Sequence, residues 1–276
     1  MKSFPEYKNK DYIFWAHVKF LSEKLGYSDR KTQGSKKYIQ TEVISCFTEF
    51  KFNTSHLIDD KFQLTNFGKS ILDYLNKRSD LLNKYFLSNF MNRDEARIEF
   101  EKLHKRLNPK CNLPLNKQKG EKKHYAFLSC IVNMLTEQTL GDVHFDDNPM
   151  KLATIVDKNK PIRVFSRRFD GAFPSTINPV AVWEIKEYYG TTTFGSRVAD
   201  GVYETMLDGM EIEQLKKDSG KDVYHYLIID DKFTWWDLGR SYLCRIIDIL
   251  NQGYIDEVIV GRDVLKRWPE IVKSWS

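Results

Sequence analysis

The run Val180–Tyr188, VAVWEIKEY, constrains this chain more than any other stretch. Four apolar residues, Val180, Ala181, Val182 and Trp183, lead without a break into Glu184, Ile185 and Lys186. A solvated hairpin would not need so apolar a flank, so the run reads as a strand set into a core. Side chains on a strand alternate faces, which puts Glu184 and Lys186 on one side and Ile185 on the other. Upstream, Arg163–Phe173 reads as a second β-like run, with Asp170 near its end and a turn containing Asn178-Pro179 between the two. Paired as a hairpin, the runs bring Asp170 and Glu184 together with Lys186 beside them.

Two carboxylates at close quarters repel unless a cation lies between them. Mg²⁺ takes oxygen ligands, commonly one or two carboxylates with waters and substrate phosphate oxygens. A lysine next to such a cation orients or helps deprotonate the attacking water and stabilises charge on the phosphate. The constellation suits hydrolysis of a phosphodiester.

An Asp, a turn, then Glu-x-Lys on a second strand resembles the PD-(D/E)XK nuclease superfamily, and within it most resembles a type II restriction endonuclease. Phe169 stands where the motif's name has proline. The resemblance implies Asp170 and Glu184 as metal ligands, Lys186 as the catalytic lysine and Mg²⁺ as the cofactor. It also makes Glu137, near the end of the apolar helix His124–Leu140, a candidate to complete the site. The implied activity is sequence-specific cleavage of double-stranded DNA leaving 5′ phosphates, by a homodimer paired functionally with a DNA methyltransferase. Two alternatives stay open: a repair or structure-specific nuclease of the same superfamily, and a DNA-binding regulator that does not cleave.

The order of elements from His124 reads helix, strand, strand, helix, strand, helix, strand. The expected class is therefore α/β, with a restriction-endonuclease-like mixed sheet flanked by helices over residues 124–276. Residues 1–107 read as a mainly helical, winged-helix-like region, with helices over 11–26, 39–50, from about 65, and 91–107. Residues 108–123, with two prolines and five lysines, read as a basic linker.

Charge is divided unevenly: residues 1–130 carry 25 Lys+Arg against 15 Asp+Glu, and residues 131–276 carry 18 against 23. A basic first half and an acidic second half suit a DNA-holding part and a metal-binding part. Lys36 and Lys37 in the first half, Lys117 and Lys119 in the linker, and Thr192, Thr193 and Arg197 beyond the Glu-x-Lys strand are the expected DNA contacts. Ser196 reads as the N-cap of a helix with Val198, Val202, Met206 and Met210 along one face. Glu204 and Asp208 read as solvated, and His225 as an ordinary strand histidine.

The 18 Phe, 14 Tyr and 6 Trp supply a sizeable core. No apolar run reaches the roughly 18 residues of a membrane span, and the N-terminus has no apolar signal region, so a cytoplasmic location is expected. The four cysteines are scattered without CxxC spacing, which indicates neither zinc nor a disulfide framework. There is no P-loop, G-x-S-x-G or H-E-x-x-H pattern, so those hydrolase chemistries lack support.

Overall fold

Three helices with their own core open the chain. The computed structural model describes residues 1–116, 124–189 and 195–275. Helix α1 (Tyr12–Leu25) starts at Asp11, whose carboxylate accepts from Phe14 N at 2.9 Å, and stops at Gly26. Two-residue strands β1 (Ser28–Asp29) and β2 (Gly34–Ser35) pair antiparallel before α2 (Gln40–Glu49). Helix α3 (Asn66–Leu81) is capped by Thr65 and runs through a π-helical turn, Leu82–Phe86, into the short α4 (Leu87–Asn89). Phe14, Leu21, Phe47, Ile71 and Tyr74 fill the space between these helices. Arg78 of α3 is buried and reaches out of this unit, with Nη1 on both oxygens of Asp248 at 2.9 and 2.8 Å. That ion pair ties the helical unit to the rest of the molecule.

Helix α5 (Arg93–Leu107) opens with a capping box between Asn92 and Glu95. Its Ala96, Phe100 and Leu103 join one core with α6 (Phe127–Leu140), so α5 packs with the larger unit, upstream of the division expected after residue 107. Asn116 N donates to His124 O at 2.8 Å, holding together the two ends of the basic stretch.

Strands β3 (Thr154–Asp157) and β4 (Lys160–Val164) form a separate antiparallel hairpin. The expected single strand Arg163–Phe173 is therefore split. The break has a physical cause: Phe165 and Phe169 both turn into the core, and Ser166 bonds Glu211 through its N and Oγ at 3.0 and 2.8 Å.

The main sheet holds β5 (Gly171–Phe173), β6 (Ala181–Glu187), β7 (Tyr224–Asp230) and β8 (Glu257–Val260), in that order. Strand β5 is antiparallel to β6, and the other two pairs are parallel. Parallel neighbours need long crossovers, supplied by α7 (Ser196–Ser219) and α8 (Arg240–Asn251). Helices α6 and α9 (Val264–Lys273) cover one face, packing on Trp183, Tyr226 and Ile259. Helices α7 and α8 cover the other, where Val198, Val202 and Ile247 meet Leu227, Ile229 and Val258. The class is α/β, a mixed sheet between helical layers. No described helix is long and apolar enough to cross a membrane.

Candidate active site

The alternation along β6 decides what each face can do. Trp183 enters the core under α6 and α9, while Val182 packs against Ile212 and Leu215 of α7. Glu184 and Lys186 follow Val182 and so face α7; Glu187 follows Trp183 toward α6. There Glu187 accepts from Leu128 N at 2.8 Å and Ser129 Oγ at 2.9 Å, capping a helix whose own N-cap residue, Ala126, has no side-chain acceptor.

Asp170 sits where β5 leaves β6. Its N donates to Trp183 O at 3.0 Å, and its Oδ2 accepts from Ile185 N at 2.8 Å. Gly171 pairs with Trp183, which puts Asp170 across from Glu184 on the neighbouring strand. Asp170 and Lys186 line a cleft of about 530 Å³, with Glu187, Ser129 and Asn133 on one wall and Arg197, Asp200 and Glu204 on the other.

Behind the cleft lies a buried charge network. Glu184 is fully buried. Its Oε1 is held by Arg167 Nη1, and Lys186 Nζ stands 2.6 Å from its Oε2. Arg167 also binds Asp208 Oδ2 at 2.7 Å and Glu204 Oε2 at 2.9 Å, and Lys186 reaches Glu204 Oε2 at 3.0 Å. Burial alone would raise the Glu184 pKa, but Lys186, Asp208 and Arg167 hold the carboxyl below its usual range. Asp208, buried against Glu184, is pushed the other way by desolvation and by that neighbour, against the pull of Arg167. Burial works against the charge of Lys186, but Glu184 and Asp170 outweigh it and keep the ammonium protonated.

His225 on β7 completes the network. It is buried, and its Nδ1 lies 2.9 Å from Tyr254 O. A carbonyl only accepts, so Nδ1 carries the proton and Nε2 is a bare acceptor. Nε2 has no hydrogen-bond partner, nor does Asp208 Oδ1. Glu184, Asp208 and His225 offer ligand atoms within 4.8 Å of one another.

Asp170, Lys186 and Arg197 are thus gathered at one cleft, with Glu184 directly behind. Glu137 is not brought there: both its oxygens accept from Lys110 N at 3.1 Å, and Ser129 and Asn133, two turns and one turn earlier on α6, face the cleft instead. Lys36 is spent on Glu42 and Leu25 O, each at 3.0 Å, and Lys37 on Asp80 at 2.9 Å. Lys117, Lys119, Thr192 and Thr193 lie outside the described residues. Gly195, not Ser196, occupies the N-cap position of α7. Asp208, expected in solvent, is buried, and Glu204 is partly exposed and ion-paired.

The model of the family described as Domain of unknown function (DUF7687) matches residues 91–275. That of a second family, described as Domain of unknown function (DUF7690), matches residues 1–85. The boundary between them coincides with the change of core packing between α3 and α5. No curated protein and no solved structure matches the chain.

Proposed function

The chain belongs to the family described as Domain of unknown function (DUF7687), and we propose that it is a Mg²⁺-dependent nuclease of the PD-(D/E)XK type, acting on double-stranded DNA as a restriction endonuclease. The observation that carries this reading is the placement of Asp170 and Lys186 at one cleft with Glu184 opposite Asp170 on the adjoining strand. On this reading β5–β8 and their helices form a restriction-endonuclease-like core, and α1–α3 a winged-helix-like DNA-binding unit.

The donor set fits a hard cation. Asp170 opens on the cleft, and Glu184 Oε2 is a buried carboxylate oxygen outside hydrogen-bond geometry. Among the described residues, Arg167 and Lys186 are the cations ion-paired with Glu184, Glu204 and Asp208. Bound Mg²⁺ supplies Lewis-acid polarisation of a phosphate and a more acidic water. Asp170 and Glu184 are the residues that hold it. Lys186, kept protonated by its carboxylate neighbours, orients water and neutralises charge gathering on the phosphate; in this state it is not a base. Arg197, exposed on the cleft wall, meets the DNA backbone. A cytoplasmic homodimer paired with a DNA methyltransferase completes the proposal, since cutting both strands of a palindrome calls for two sites related by a two-fold axis.

One observation favours a rival. Arg167 sits on Glu184 where a cation would otherwise compensate it, as a non-cleaving DNA-binding protein would permit. Incubation of the purified protein with unmethylated phage or plasmid DNA, with Mg²⁺ or with EDTA, decides between them. Discrete fragments that require Mg²⁺ and vanish in Lys186→Ala are expected. DNA binding without cleavage, unchanged in that variant, would replace the nuclease by the regulator, and a smear would point to a structure-directed or non-specific nuclease.

A further inference from the structure

Three side chains from three elements converge beneath the cleft with potential ligand atoms facing one another. Glu184 comes from β6, Asp208 from α7 and His225 from β7, and all three are buried. Their ligand atoms lie within 4.8 Å of one another, close enough to surround a single ion. His225 Nε2 and Asp208 Oδ1 have no hydrogen-bond partner, and Glu184 Oε2 has only the Lys186 ammonium alongside. Buried acceptors of this kind call for a donor or a cation, because leaving them unsatisfied costs their full desolvation.

The surroundings match those of a coordinating set. A ligating histidine generally donates its second ring N–H to a carbonyl or carboxylate, which fixes the ring and directs the free nitrogen at the metal. His225 does this with Tyr254 O. Ligating carboxylates are hydrogen-bonded through their other oxygen, and Arg167 Nη1 holds Asp208 by Oδ2 and Glu184 by Oε1, leaving Oδ1 and Oε2 for the centre. One imidazole with two carboxylates suits a borderline first-row cation better than Mg²⁺, which favours oxygen alone.

We propose that Glu184, Asp208 and His225 form a buried site for a borderline divalent cation, Zn²⁺ or Mn²⁺, distinct from the Mg²⁺ position on the cleft side of Asp170. Its ligands clamp α7 against β6 and β7. Glu184 is shared between the two positions, so the buried ion fixes the carboxylate that the cleft uses. This inference does not depend on the nuclease reading, and it is tested without DNA.

The full chain, stripped with a chelator, is loaded with Zn²⁺ and then dialysed against excess Mg²⁺, and the retained metal is measured. Wild type and Asp170→Asn are expected to retain one Zn²⁺ per chain. His225→Gln and Asp208→Asn are expected to bind it at least about 10-fold more weakly, since even loss of an outer-shell partner costs that much. Far-UV circular dichroism reports whether each variant has folded. If both ligand variants fail to fold, X-ray absorption on Zn²⁺-loaded wild type decides: one imidazole with oxygen ligands at about 2.0–2.2 Å is the expected shell. Two imidazoles would place the ion at the exposed His17–His56 pair, whose Nε2 atoms are 2.8 Å apart, and would overturn the proposal. So would a wild type that retains no Zn²⁺, or equal retention in folded His225→Gln.

Discussion

Lys186 Nζ stands 2.6 Å from Glu184 Oε2, two residues away on the same face of β6. The pairing serves two purposes. It compensates a carboxylate that is wholly out of water, and it keeps the ammonium charged at the edge of the cleft. Lys186→Ala is therefore expected to abolish Mg²⁺-dependent cleavage, with a loss of about 10²-fold or more, the scale of removing one oriented charge-stabilising group. Cleavage rates on plasmid DNA check this. A variant that cleaves within a few-fold of wild type would remove Lys186 from the chemistry.

Arg167 holds three carboxylates at once, those of Glu184, Glu204 and Asp208. Two of the three are buried, so its removal strands charge in the interior. Breaking a buried pair by deleting one partner costs about 3–5 kcal/mol, and Arg167→Met should lose an amount in that range in urea unfolding. Adding Asp208→Asn removes one of the carboxyls that Arg167 binds. The double variant should then lose less than the sum of the single losses, with a coupling of about 0.5–3 kcal/mol. Strict additivity would mean that the two side chains do not act on each other.

The legible part of this chain was what strand alternation and helical punctuation dictate. The apolar flank of Glu184 specified a buried strand, and the helices expected over 11–26 and from about 65 form there, closed by Asp11, Gly26 and Thr65. Asp170 and Lys186 were readable because charged residues interrupt apolar sequence, and Arg197 because it opens a helix just beyond that strand. Asp208 was not, and the reason is geometric. Residues at strict i+4 spacing turn by about 40° at each step, since the helix advances 100° per residue. The stripe Val198, Val202, Met206, Met210 therefore rotates out of the core, and Met210 is exposed. The buried stripe runs through Gly201, Thr205, Asp208 and Ile212 instead, alternating steps of three and four. Arg167 and His225 carry no periodic signal; their roles arise only when β6, β7 and α7 come together. Glu137 follows Ser129 and Asn133 at i+4 spacing, so each step rotates it about 40° further from the cleft wall and toward Lys110 N, from which it accepts.

Gly171, immediately after Asp170, is required by close approach rather than by backbone conformation. A Cβ at this position would stand 2.1 Å from the indole ring of Trp183, its partner across the β5–β6 ladder. Trp183 cannot move aside, because its ring stacks on Trp275 at 5.6 Å between centroids and meets Trp268 edge-on at 5.4 Å. Gly171→Ala should destabilise by about 1–3 kcal/mol, the usual cost of overpacking. It should also lower cleavage more than a stability loss of that size explains, since the displaced backbone carries Asp170. Unfolding curves and cleavage rates on the same preparation separate the two effects; a variant with wild-type values in both would show that β5 yields freely.

Glu187 offers the clearest dependence of stability on pH. Burial raises its pKa from about 4.5 to about 7, against the opposing pull of Leu128 N and Ser129. The folded carboxyl thus holds its proton more tightly than the unfolded one, so its contribution favours folding at acid pH. That contribution is complete below the unfolded value of about 4.5 and is lost as pH rises to about 7. Over that window the total is on the order of 3 kcal/mol. Glu187→Gln keeps an oxygen for Leu128 N and cannot ionise. The stability of wild type relative to this variant should therefore fall steadily from pH 4.5 to 7 and level off above it. Urea unfolding of both proteins at each pH gives the difference directly, with the remaining titrating groups common to both. A difference that stays flat, or that rises with pH, would show that the capping hydrogen bonds to α6 outweigh burial and that Glu187 is ionised throughout.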